Sequence, residues 1–409
     1  MSSSHINEKI DAVFAPRSTD YKNAKLFINR SDYSSKLVAN IKSSFHGLVI
    51  GENGIGKTWL VGKVILNERY KKIYVNCANI KNSDSIEAAV CESLQDGKMH
   101  LEKETTTKVA GINAGGKAEL STAKEYSQSS QGHHLDELRK FMSKSPKVPH
   151  VLVLDNAEFL VGDADWRGSL QRFMVSSETI KNERSALKII TIVASRNIEE
   201  NVTEFLGDQA INTRIEELDP VRGFNEQEVY DFVSRGFNEL LHANLGHERM
   251  VKWVEHIHHV TFGIPLYLHE YCNKLAKLLL ENNWTPGVGI LSSADAGYCG
   301  MNTVTTSHRL SRLHLVDGKS MAARVMFIVC NIKRTSFSCS ELMFEYNVFY
   351  NKKTQLSLIE KSVVKLMQIL PDEFDISWEA GRYRWIDPKF MLCCRRSLVF
   401  NNGKIIYKG

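Results

Sequence analysis

The chain has 409 residues, 43% hydrophobic and 24% charged, with eight cysteines and a formal net charge of +5. No apolar run reaches the roughly 18 residues of a membrane span, Met1-Ser2-Ser3-Ser4-His5-Ile6-Asn7-Glu8 has no basic stretch leading into an apolar core, and no C-x-x-C pair occurs. The expectation is therefore a cytoplasmic protein of two to three domains, with reduced thiols, no secretory signal and no membrane contact. The charge is uneven: residues 321–409 carry 14 basic against 8 acidic side chains, so the positive excess lies in the C-terminal part.

Residues 1–30 read as a polar lead-in, and a helix is expected from Ser31-Asp32. Leu48-Val49-Ile50 is a short apolar run that predicts a buried strand, and Trp59 to Leu66 reads as a helix. Between them, Gly51-Glu52-Asn53-Gly54-Ile55-Gly56-Lys57-Thr58 is a complete G-x-x-x-x-G-K-T segment. A strand, a Gly-rich turn and a helix start aim successive backbone N–H groups and a helix N-terminus at one anion. Gly51, Gly54 and Gly56 give the backbone its freedom, while Asn53, Ile55 and Trp59 complete the cradle. Lys57 brings a point charge to the β/γ-phosphates, and Thr58 a hydroxyl for Mg²⁺.

Further strands are predicted at Ile73–Cys77, Val151–Leu154, Ile189–Val193 and, more weakly, around Ile215, with a helix over Ile86–Leu94. Residues 97–131 are polar and rich in small residues, an insertion in the pattern. Strands alternating with helices predict a parallel sheet covered by helices over 31–219. After Pro220 the pattern turns helical, giving a helical lid over 220–285. A loop-rich linker is expected over 286–319. Over 320–409 three helices and a hairpin around Glu379-Ala380-Gly381 predict a winged-helix-like domain. His256, His258 and His259 lack a matching acidic or cysteine partner nearby and read as packed or surface histidines.

Hydrolysis needs a metal-side carboxylate and a group that handles water. Asp155, at the C-terminal end of a predicted buried strand, lies at the edge where open α/β sheets bind ligands, so Thr58 and Asp155 are the expected metal residues. The next residue is Asn156, which orients water but cannot accept its proton. Glu158 is the nearest carboxylate and the alternative base. Ser195 and Asn197 follow the Ile189–Val193 strand and are candidates for the γ-phosphate side or for a helix cap. Arg214 has three readings: a γ-phosphate sensor in cis, an arginine finger in trans, or a surface arginine.

The order of the P-loop, Val151-Leu152-Val153-Leu154-Asp155, Ser195-Arg196-Asn197, Thr213-Arg214, lid and winged helix resembles the AAA+/STAND P-loop ATPases. The nearest likeness is the prokaryotic branch of origin-recognition-like initiators and STAND switch proteins. Leu26-Phe27-Ile28-Asn29-Arg30 resembles the F-x-G-R segment that packs by the adenine in that group, with Asn29 in place of Gly. Phe262-Gly263-Ile264-Pro265 resembles the G-x-P motif of STAND lids. The resemblance implies ATP and Mg²⁺ as cofactors, with Arg30 and Pro265 near the base. Departures are Asn156 in place of an acidic residue, no second arginine in the lid helix, and no repeat array after the lid. An N-K-x-D base-reading motif is absent, which disfavours GTP.

The function so implied is an ATP-dependent switch with slow hydrolysis, controlling assembly as a homo-oligomer or a partner effector, in a prokaryotic defence or mobile-element setting. One alternative is an initiator or loader that binds duplex DNA through residues 320–409, using Lys352, Lys353, Lys361, Lys365, Arg382 and Arg384. Another is a non-hydrolysing assembly scaffold.

Overall fold

The computed structural model describes residues 3–15, 26–82, 85–95, 130–161, 163–181, 186–194, 209–300, 318–332, 336–370, 374–376 and 382–407. The chain divides into two compact units, one formed by residues 29–221 and the other by residues 1–28 together with 222–409.

The first unit is built on five parallel strands: β1 (His46–Gly51), β2 (Lys71–Asn76), β3 (His150–Asp155), β4 (Lys188–Ala194) and β5 (Ile215–Glu217). Their order across the sheet is β2-β3-β4-β1-β5. Every residue of β1 and β3 is buried. Strands covered on both faces read as continuous apolar runs, which is why the sequence marks them. The register aligns both Leu48 of β1 and Leu154 of β3 with Thr191 of β4. The ends of β1 and β3 thereby reach the same edge. Leu48, Ile50, Leu152, Leu154 and Ile189 form the inner layer with Leu170, Phe173 and Met174 of the helix Ala164–Ser177. Each such side chain contributes roughly 1.5–3 kcal/mol by leaving water. Asp163 caps that helix by accepting from the N–H groups of Asp165 and Trp166. Most of the expected insertion, residues 97–129, lies outside the described residues, and the helix Ser130–Ser143 follows it.

The second unit corrects two expectations. The lead-in is not simply polar chain. Residues Ser3–Val13 are helical, and Ile10, Val13 and Phe14 are buried in one core with Phe232, Phe237 and Leu275. Phe14 packs on Phe237 with ring centroids 5.2 Å apart, and Asp11 accepts from Asn273 at 2.9 Å and pairs with Lys277 at 2.7 Å. The apolar spacing i, i+3, i+4 was hidden among Ser, Glu and Lys. The linker is also partly regular: Ile290–Cys299 is a helix, with Ile290, Ala294 and Tyr298 buried on one face. Residues 301–317 lie outside the described residues.

The segment after residue 221 begins with the helices Glu226–Ser234, His247–Thr261 and Pro265–Glu281. A capping box starts the first, in which Asn225 accepts from the Glu228 N–H and Glu228 accepts from the Asn225 N–H. Three helices follow in the C-terminal part, Met321–Asn331, Cys339–Tyr350 and Leu356–Ile369. They accompany an antiparallel sheet of order β6-β8-β7, with β6 Ser336–Ser338, β7 Phe374–Ile376 and β8 Arg382–Trp385. The predicted strand pair is therefore present, while its turn lies outside the described residues. The sequence reading missed the helix Pro388–Ser397 and a second hairpin, β9 (Leu398–Asn401) and β10 (Lys404–Tyr407), closed by Asn402 and Gly403 at positive φ.

Candidate nucleotide-binding site

The turn after β1 requires its glycines. A Cβ on Gly51 would lie 2.6 Å from the Val221 carbonyl oxygen. Gly56, the N-cap of the helix Lys57–Asn67, has φ 89, where any L side chain is strained. The first N–H groups of that helix have no acceptor within it, and its N-terminus carries partial positive charge. Ile55 is buried, Asn53 is exposed, and Trp59 is half-buried on the first turn.

Lys57 folds back over this turn. Its ammonium donates to the carbonyl oxygens of Gly51 at 2.9 Å and Glu52 at 2.8 Å. Burial lowers its pKa to about 8, against the pull of the Glu158, Asp155 and Glu52 carboxylates. A buried cation held by two carbonyl oxygens suits an incoming phosphate, which would supply the counter-charge.

Asp155 ends β3 and is 4% exposed. Its carboxylate accepts from the Thr58 hydroxyl at 2.9 Å, the Tyr74 hydroxyl at 2.8 Å and the Asn156 N–H at 3.0 Å. A hydroxyl against a carboxylate is an all-oxygen pair that suits Mg²⁺, which needs only one or two protein ligands beside phosphate and water. Among the described residues no cluster of three or more His, Cys, Asp or Glu could hold a metal by itself.

Asn156 adopts φ 56, and its side-chain nitrogen donates to the Asn76 side-chain oxygen at 2.8 Å. Glu158 is not free at the strand tip either, because its carboxylate accepts the Ala194 N–H at 2.9 Å. Tyr74 and Asn76 were absent from the sequence reading. Their signal is the alternation of Lys72, Tyr74 and Asn76 with the buried Ile73 and Val75 along β2.

The remaining candidates divide. Ser195 and Asn197 lie outside the described residues. Arg30 is buried, with its guanidinium 4.6 Å from the centre of the Tyr33 ring. Arg214 is corrected as a sensor in cis. Ile215 pairs with His46 at the start of β1, so Arg214 lies at the strand-start edge, opposite the phosphate loop. There its Nε donates to Glu178 at 2.7 Å. Pro265 belongs to the second unit, as the first residue of the helix Pro265–Glu281 behind the Ile264 N-cap.

Residues 42–201 match the family model described as an AAA domain. No curated protein matches the chain. Among solved structures, the Walker-type ATPase of Pyrococcus abyssi is similar at 17% identity and a TM-score of 0.52, over 90% of this chain and 96% of that one. The Aeropyrum pernix ORC1 protein, solved in complex with DNA, is 13% identical over 94% and 95% of the two chains, with a TM-score of 0.41. The ORC2 protein of the same organism is 11% identical over 89% and 90%, with a TM-score of 0.45. With the phosphate loop and Asp155 inside the matched stretch, residues 42–201 are an AAA-type P-loop nucleotide-binding domain of α/β fold.

Proposed function

We propose that the chain is an ATP-binding molecular switch of the AAA+/STAND type that turns ATP over slowly. The tip of β3 carries this reading. Lys57, Thr58 and Asp155 form complete machinery for binding ATP with Mg²⁺, yet an amide stands where a proton acceptor is needed, and that amide is tied to Asn76. Bound Mg²⁺ supplies charge neutralisation at the phosphates. Slow turnover keeps the γ-phosphate in place, and a retained γ-phosphate holds a conformational state. Arg214, on the strand-start edge away from the chain's own phosphate loop, would serve such assembly as an arginine finger toward a neighbouring subunit.

Phosphate release and light scattering, measured on apo and ATP-loaded protein, test this reading. Slow release with ATP-dependent growth in mass is expected. Fast release from a protein that stays monomeric in every nucleotide state overturns it.

A second reading, a DNA-binding initiator, draws support from the C-terminal part. Three helices with a β6-β8-β7 sheet would suit a winged helix, and Lys352, Lys353, Lys361 and Lys365 are all exposed. Arg382 argues less for it, because it pairs with Glu341 at 3.1 Å. Replacing the four lysines by Ala should reduce the salt slope of duplex binding by roughly one unit per lost phosphate contact. Absence of duplex binding by the wild type at low salt removes this reading.

A further inference from the structure

The hairpin of β9 and β10 leaves one edge open beside an exposed aromatic patch. Ile405 of β10 lies opposite Phe400 of β9. The Ile405 N–H turns away from β9 and donates to the Gly318 carbonyl oxygen at 2.9 Å. In an antiparallel pair, residues directly opposite each other exchange both main-chain bonds or neither. The N–H and carbonyl of Phe400 therefore also point out of the hairpin, on its other side. At the start of β9 the outward N–H, that of Leu398, is taken by the Cys394 carbonyl oxygen. Among the described residues the Phe400 N–H has no partner.

The side chains beside this edge are apolar. The Phe400 ring centre lies 5.6 Å from that of Phe349 and 5.2 Å from that of Tyr350, at the end of the helix Cys339–Tyr350. Phe327 of the helix Met321–Asn331 lies 5.4 Å from Phe349. Phe349 is nevertheless 49% exposed and Phe400 37%, and Phe344 and Val348 on the same helix are exposed further. Contiguous exposed apolar patches mark interaction sites. The rim is cationic. Lys352 and Lys353 follow the aromatic end of the helix, Lys404 lies at the hairpin turn, and Arg324 sits over the Tyr350 ring and donates to the Gly403 carbonyl oxygen at 3.3 Å. These two helices and the hairpin carry only two carboxylates, Glu341 and Glu345, and Glu341 pairs with Arg382. A second copy would bring the same cations to the same edge, and facing like charges oppose it. An acidic segment is drawn to it. Single-stranded nucleic acid matches the charge, but an N–H and a C=O on one strand residue have the spacing of another strand.

We propose that the outer edge of β9 takes up an extended segment of a partner protein in which apolar residues alternate with Asp or Glu. Its main chain pairs with Phe400, as added strands do at open sheet edges. Its apolar side chains, which share one face at every second position, cover Phe400 and Phe349. Its carboxylates meet the cationic rim.

The test reads fluorescence anisotropy of labelled, end-blocked peptides of strand length, mixed with the full chain. No nucleotide is present, so the outcome is independent of the switch reading. The peptide alternating Glu with Val should bind with a Kd below about 1 mM. The same peptide with Lys in place of Glu should bind at least roughly tenfold more weakly. The acidic peptide N-methylated at every backbone amide should not bind. Phe349→Ser, at a half-exposed position, should weaken the acidic peptide by roughly tenfold or more. Lys352→Glu combined with Lys353→Glu, at two exposed positions, should weaken it by a similar factor and places little burden on folding. Lack of acidic-peptide binding at about 5 mM overturns the proposal. So does equal binding of the Lys or the N-methylated peptide, or unchanged affinity in the variants with native circular dichroism. A nucleotide-free dimer in light scattering that is lost in Phe349→Ser makes a second copy the occupant and overturns it. Oligothymidylate that binds and is weakened by Phe349→Ser, where the acidic peptide does not bind, overturns it in favour of nucleic acid.

Discussion

The side-chain amide of Asn156 donates to the Asn76 side-chain oxygen at 2.8 Å, and this bond joins the tip of β3 to the tip of β2. The residue that follows Asp155 is thus committed to structure. Asn156→Glu would place a proton acceptor there, while Asn76 keeps the Ala78 N–H as a donor to its oxygen. General-base help is typically worth about 10²–10⁴-fold in rate. Phosphate release should rise within that range with ATP affinity unchanged. If Asn156→Glu is no faster and Glu158→Gln is inactive, the base is Glu158.

Lys57→Ala should cost ATP affinity by roughly 100-fold or more, because a charge-assisted contact to phosphate is removed. The carbonyl oxygens of Gly51 and Glu52 lose their donor but can be hydrated at the loop surface, so the fold should persist. Calorimetric titration of ATP checks this, and unchanged affinity would refute the phosphate-loop assignment.

Tyr74 bears on the proposed metal side through Asp155. Its hydroxyl holds the Asp155 carboxylate at 2.8 Å, and Thr58 approaches the same group. Outer partners of metal ligands typically contribute about 10–100-fold in metal affinity. Tyr74→Phe should weaken Mn²⁺ binding to the ADP complex within that range, read by electron paramagnetic resonance, while metal-free ADP binding stays close to wild type.

His46 gives the first unit a pH dependence. The Ile189 N–H donates to His46 Nδ1 at 3.2 Å, a bond that only the unprotonated nitrogen can accept. Burial, then the Lys188 and Arg214 charges, lower the ring's pKa to about 4. An unfolded histidine binds its proton near pH 6.5, so between about pH 6.5 and 4 the unfolded chain holds more protons than the folded one. Stability from this group is complete above that window and falls as pH drops through it, by about 1.4 kcal/mol per pH unit and about 3 kcal/mol in all. Urea unfolding of wild type and His46→Gln at pH 7 and pH 5 measures it. The variant should lose less stability on acidification, and equal losses would exclude His46 as the source.

The strands of the first unit were legible because burial on both faces leaves unbroken apolar runs such as Val151–Leu154. The phosphate loop was legible because glycine spacing and a lysine fix one geometry. Tyr74 and Asn76 were not, since their roles come from the β2–β3 register, which aligns Asn76 with Asp155. Arg214 likewise depends on the β1–β5 register, which decides the edge it occupies. The helix Ile290–Cys299 was hidden by Ser292, Ser293 and Gly297, and tertiary packing overrides such weak propensity. The Asn402-Gly403 turn was legible in principle, being the strongest short hairpin signal.

The helix Ser3–Val13 shares a core with residues that follow the entire first unit in the chain. During synthesis Phe14 emerges early, but its neighbour Phe232 is added only about 220 residues later, on the order of tens of seconds at ordinary elongation rates. For that interval the apolar stripe of the N-terminal helix has no place to bury. The nascent chain therefore carries an unburied apolar stripe ahead of the first unit, and the second unit can close only after the first unit has been made.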